Sequence, residues 1–130
     1  MSLNTLKINH FGIVIPVNKT ESIENEFGEK FIRDDIQGVS VCFVWDKRLN
    51  HYCEFITQEG RAKNYELGFN HICYDVEDQD AMTVLHKEII QQKQGMRLTL
   101  PEMSPTENCN FVSFYMLNNV GIVEFNILNK

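Results

Sequence analysis

The sequence has no Cys-x-x-Cys pair, no run of lysines and arginines, and no apolar stretch of membrane-spanning length. Each absence removes a class of function. Without paired Cys-x-x-Cys spacing, a thiolate zinc knuckle or a thioredoxin-type redox motif is disfavoured. Without a basic stripe, nothing neutralises a phosphate backbone, and nucleic acid is not an expected partner. A membrane span needs roughly 20 apolar residues, so no membrane segment is expected. Met1 to Lys7 lacks the apolar core of a secretion signal. The four cysteines, Cys42, Cys53, Cys73 and Cys109, are therefore read as buried, reduced thiols of a cytoplasmic protein.

What is present is an ordinary globular composition. Of 130 residues, 43% are hydrophobic and 23% charged, with a formal net charge of −6 and a pI near 5.1. A chain of this length can bury a core without staples. Strand patterns run from Lys7 to Val17, Gly38 to Asp46, His51 to Gln58, Leu67 to Val76, Asn110 to Met116 and Val120 to Leu128. Thr20 is placed to cap a short helix carrying Ile23 and Phe27, with Gly28 to break it. A longer helix spans about Asp78 to Gln94, its buried stripe Met82, Leu85 and Ile89, with Gly95 at its C-terminal cap. Residues 47–50 and 118–119 read as hairpin turns, 59–66 as a polar linker, and 97–108 mainly as loop with a short strand at its start.

The chain thus reads as two similarly ordered halves, about 6–58 and 67–130, of a single domain. The likeness extends to residues. Ile8-Asn9-His10 in the first strand matches Phe69-Asn70-His71 in the strand that opens the second half. Glu54-Phe55 matches Glu124-Phe125 in the last strand of each half. Two matches at corresponding positions point to an internal duplication.

Strand alternation assigns the faces. Phe11, Ile13 and Ile15 lie opposite His10; Cys53 and Phe55 lie opposite Glu54. Ile72, Tyr74 and Val76 lie opposite His71; Val123, Phe125 and Ile127 lie opposite Glu124. All four polar residues leave the helix-packed face. Unpartnered buried carboxylates are costly, and two imidazoles with two carboxylates suit one divalent ion: nickel, cobalt, manganese, zinc or iron. His10, Glu54, His71 and Glu124 are the candidate ligands. His51, beside a turn, and His86, on the polar side of its helix, are not.

These segments (N-H-F-G-I-V-I-P, H-Y-C-E-F, F-N-H-I-C-Y-D-V-E-D and G-I-V-E-F) resemble the vicinal oxygen chelate superfamily, over about Ile8 to Leu128. That superfamily includes glyoxalase I, methylmalonyl-CoA epimerase, extradiol dioxygenases and antibiotic-resistance proteins. The resemblance implies an α+β fold of two βαβββ modules forming a cupped mixed sheet. It implies metal ligands at His10, Glu54, His71 and Glu124, and modules that pair within one chain or across a homodimer. The nearest resemblance is to methylmalonyl-CoA epimerase. That implies proton transfer at the carbon α to an acyl thioester through a metal-stabilised enediolate, with Glu124 and Glu54 as the catalytic carboxylates. Val41, Phe43, Trp45 and Tyr52 would line the substrate pocket. The epimerase's own glutamate falls at Val41 here, so its second base is missing. Glyoxalase I-like lyase chemistry on a small carbonyl compound and non-catalytic ligand binding are the alternatives. An iron dioxygenase is disfavoured, because Glu54 takes a position that oxygen and substrate would need.

Overall fold

A computed structural model describes residues 5–108 and 110–128, so Cys109 lies outside the described residues. Among them are nine strands and two α-helices. The first five are β1 (Lys7–Ile15), α1 (Thr20–Phe27), β2 (Ile32–Asp34), β3 (Val39–Asp46) and β4 (His51–Thr57). Then come β5 (Gly68–Val76), α2 (Gln79–Gln91), β6 (Gly95–Arg97), β7 (Glu102–Met103), β8 (Phe111–Leu117) and β9 (Gly121–Ile127). The chain divides into two compact units. One is His10–Asn70; the other joins the residues up to Asn9 to those from His71 onward.

In the His10–Asn70 unit the strand order is β2-β3-β4-β1, antiparallel except for β1 on β4, which is parallel. One face packs on α1: Ile15, Cys42, Val44, Cys53 and Phe55 form its core, with Ile23 and Phe27 from the helix. Burial pushes the Cys42 and Cys53 thiols above their ordinary pKa. The other face holds a second cluster of Val39, Val41, Ile56 and Ala62. Ala62 comes from the segment expected to be a plain linker. It forms a 3₁₀ turn, Gly60–Ala62, tied by the Arg61 N–H donating to the Gln37 carbonyl at 2.9 Å. Glycine is required there: a Cβ on Gly60 would lie 2.3 Å from the Gly38 carbonyl oxygen, at a φ of +52°.

The second unit repeats the plan. Its order is β5-β9-β8-β6, with β9 parallel to β5, the other pairs antiparallel, and β7 also on β8. The stripe of α2, Met82, Leu85 and Ile89, packs with Val76, Tyr115, Leu117, Val123, Phe125 and Ile127. Asp78 caps the helix, its carboxylate accepting from the Ala81 N–H at 2.8 Å. The fold is thus α+β, two βαβββ modules with mixed strand pairing, as the resemblance implied.

Local expectations needed correction. Thr20 does not cap α1: it is the first helical residue, because a 3₁₀ turn at Val17–Lys19 runs directly into the helix. Gly95 is not the cap of α2. Lys93 takes the left-handed position at φ 54°, with Gln94 N–H donating to Ile89 O and Lys93 N–H to Ile90 O. Gly95 instead opens β6, where a Cβ would lie 2.2 Å from the Met116 carbonyl oxygen. Two short strands, β2 and β7, formed in segments that carry no alternation. Gly28 does end α1, at φ 72°.

Candidate metal centre

Each module buries one histidine against one glutamate. In the His10–Asn70 unit, His10 Nε2 lies 3.3 Å from Glu54 Oε1, with His10 fully buried and Glu54 6% exposed. In the other unit, His71 Nε2 lies 3.0 Å from Glu124 Oε1, at 2% and 1% exposure. The alternation that sends Ile15, Phe55, Val76 and Phe125 into the helix-packed cores sends these four to the opposite face. Burying a carboxylate at such depth is costly unless a positive charge or donors compensate.

The two pairs are built alike, down to register. On the parallel partner strand, the residue two after each histidine stands opposite the glutamate: Gly12 opposite Glu54, Cys73 opposite Glu124. On the antiparallel side a phenylalanine stands opposite each: Phe43 opposite Glu54, Phe114 opposite Glu124. Each phenylalanine meets its module's imidazole edge to face, His10–Phe43 at 5.2 Å and 83°, His71–Phe114 at 5.7 Å and 86°. The duplication suggested by short sequence matches is therefore also a duplication of site geometry.

The residues expected to line a substrate pocket are spread along the His10–Asn70 unit. Val41 is 2% exposed inside the Val39–Ile56–Ala62 cluster, and Phe43 lies against His10. Trp45 and Tyr52 are half exposed near the β3–β4 turn, 5.1 Å apart and edge to face, and Trp45 also stacks on His51.

Three side chains escaped the sequence reading. His86 is not simply on a polar face: its Nδ1 lies 2.6 Å from the hydroxyl of buried Tyr115. Burial and the Arg97 guanidinium hold the His86 imidazole below its ordinary pKa. Cys73 and Glu107 sit beside Glu124, with Cys73 Sγ and a carboxylate oxygen of each glutamate within 4.8 Å of one another. Alternation already placed Cys73 on the His71 face. Glu107, in the loop before β8, had no periodic signal to reveal it.

No family model matches the sequence, and no curated protein matches it either. Solved structures do. A hypothetical protein from Bacillus halodurans C-125 superposes with a TM-score of 0.68 at 15% identity, over 97% of this chain and 96% of that one. Methylmalonyl-CoA epimerase from Mycobacterium tuberculosis superposes with a TM-score of 0.67 at 14% identity, over 100% and 94%. A Streptomyces coelicolor methylmalonyl-CoA epimerase variant in complex with 2-nitronate-propionyl-CoA gives 0.63 at 17%, over 96% and 99%. The chain has the vicinal oxygen chelate fold. At these identities the likeness is one of fold. Among the described residues, no helix is long and apolar enough to cross a membrane.

Proposed function

We propose that His10, Glu54, His71 and Glu124 together hold one divalent ion, and that the protein is an enzyme moving a proton next to a carbonyl. The observation that carries this reading is the matched pair of buried His–Glu contacts, each with the same register and the same edge-on phenylalanine. The donor set fits the group: two imidazole nitrogens are borderline ligands, and two carboxylates balance a 2+ charge. When bound, such an ion supplies Lewis acidity toward carbonyl and enediolate oxygens.

The chain's own part is proton transfer and positioning. Glu124 is the carboxylate that takes the proton from the carbon α to an acyl thioester and returns it, with Glu54 its counterpart in the other module. Phe43 and Phe114 fix the imidazole planes and keep water off them. Trp45 and Tyr52, half exposed, offer aromatic surface to the substrate, and Phe43 its apolar floor. The structural relatives include epimerases, one of them holding an acyl-CoA analogue, which favours an acyl thioester as substrate. We place the enzyme in the cytoplasm, as a homodimer.

Burial of Val41 supports a second reading. Epimerisation with two bases needs a carboxylate on each side of the acidic carbon, and at Val41 there is a core valine beneath Ala62. Chemistry needing a single proton carrier, a glyoxalase I-like lyase acting on a hemithioacetal, fits that position better. The test is solvent deuterium exchange with metal-replete protein, run on methylmalonyl-CoA and on a hemithioacetal. Exchange into the thioester supports the first reading; exchange into the hemithioacetal alone supports the second. Exchange into neither would sink both and leave a ligand-binding protein.

A further inference from the structure

The two modules place Gly12 and Cys73 at the same point, two residues beyond the histidine and directly across from the glutamate. Where the first module brings no side chain to this face, the second brings a thiol. Cys73 is fully buried, so its sulfur is not a surface nucleophile. Its Sγ, a Glu107 carboxylate oxygen and a Glu124 carboxylate oxygen lie within 4.8 Å of one another, close enough to share one ion after small side-chain shifts.

The loop that delivers Glu107 is tied to itself. Ser104 N–H donates to the Asn110 carbonyl at 2.8 Å, Asn110 N–H to the Glu107 carbonyl at 3.1 Å, and Asn108 turns the chain at φ 57°. Ser104 is 2% exposed, which anchors the loop's base. Glu107 Oε1 is closed off from solvent, so this carboxylate faces inward.

We propose that Cys73, flanked by Glu107 and Glu124, is a sulfur ligand that makes the site thiophilic. The inference rests on the reading that a divalent ion is held at His71 and Glu124. A thiol that coordinates a cation gives up its proton, here to solvent, and binds as thiolate. Thiolate selects zinc, cobalt, iron or cadmium over the hard ions magnesium and manganese, which carboxylates and water suit. The two-histidine, two-glutamate set alone makes this choice more weakly.

The test adds cobalt(II) to the metal-free full chain and records its near-ultraviolet spectrum. The expected result is a thiolate-to-cobalt charge-transfer band that Cys73→Ser removes while cobalt still binds. Serine has nearly the same shape, and a circular dichroism spectrum checks that the variant folds. In competition, Cys73→Ser lowers cadmium affinity by at least about tenfold and leaves manganese affinity unchanged. Glu107→Gln weakens cobalt binding but keeps the band. Cobalt bound without a thiolate band, or a band that survives Cys73→Ser, overturns this inference and leaves the proposed function standing. No cobalt binding by the wild type overturns both.

Discussion

The ring of Phe43 stands edge to face with that of His10, 5.2 Å away, and Phe43 is also the cross-strand partner of Glu54. One side chain thus touches the imidazole and borders the carboxylate of the same pair. Phe43→Leu keeps the apolar volume but lets the His10 ring turn. The expected outcome is a divalent-metal affinity lower by about tenfold, with the folded fraction unchanged. Isothermal titration with zinc or cobalt measures it. Phe114→Leu, at the equivalent place against His71, has the same expected effect, and unchanged affinity in both variants would reduce the phenylalanines to packing.

The contact between His86 of α2 and the buried Tyr115 of β8 has a pH consequence. The imidazole of His86 is held below its ordinary value of 6.5, chiefly by burial and then by Arg97. The unfolded chain therefore takes up this proton at higher pH than the folded chain. Stability from this group is present above the unfolded value and is lost as pH falls through the folded one. Urea midpoints from pH 7.5 down to 5 should decline, and His86→Gln should flatten that decline. Tyr115→Phe leaves His86 Nδ1 without its hydroxyl partner and should cost about 1 kcal/mol at pH 7.5.

Lys93 occupies a backbone conformation that glycine adopts freely. A left-handed conformation costs an L-residue roughly 1–2 kcal/mol, and Lys93 holds it at φ 54° to close α2. Lys93→Gly should raise stability by up to about 1 kcal/mol. The reverse case is Gly60→Ala, where the added carbon would meet the backbone carbonyls of Gly38 and Gln37 at 2.3 and 2.4 Å. Backbone cannot rotate aside as a side chain can, so the expected loss is about 1–3 kcal/mol. It should come with exposure of Val39 and Val41 as Ala62 lifts. Thermal denaturation of the two variants beside wild type reads both effects.

These cases show what the sequence could and could not reveal. Strands such as β1, β5 and β9 alternate cleanly because one face is packed on a helix, so His10, His71 and Glu124 stood out as polar residues on the other face. The stripe Met82, Leu85, Ile89 is legible for the same reason. Nothing periodic marks a strand of two or three residues, so β2 and β7 were invisible. The linker read as polar because only Ala62 of it is buried; its docking depends on the close approach of Gly60 to Gly38, a property of backbone rather than of composition. Glu107 lies in a loop held by main-chain hydrogen bonds, and its place beside Glu124 could not be read from spacing.

Metal stoichiometry decides whether the two His–Glu pairs act as one site. The His10–Glu54 pair by itself offers one nitrogen and one carboxylate, too few protein ligands for tight retention of a divalent ion. If all four residues hold one ion, purified protein reconstituted with zinc or cobalt carries about one ion per chain. His10→Ala and His71→Ala then each weaken that same ion. Losing both histidines should cost less than the sum of the single losses, since the second substitution acts on an ion already loosened. Two independent sites would instead give two ions in the wild type, one in either single variant, and additive losses. The melting temperature offers a parallel reading. Ligand binding to the native state adds about 2.7 kcal/mol at a free concentration one hundred times the dissociation constant. Chelation should therefore lower the wild-type midpoint by several degrees, and should lower either histidine variant by less.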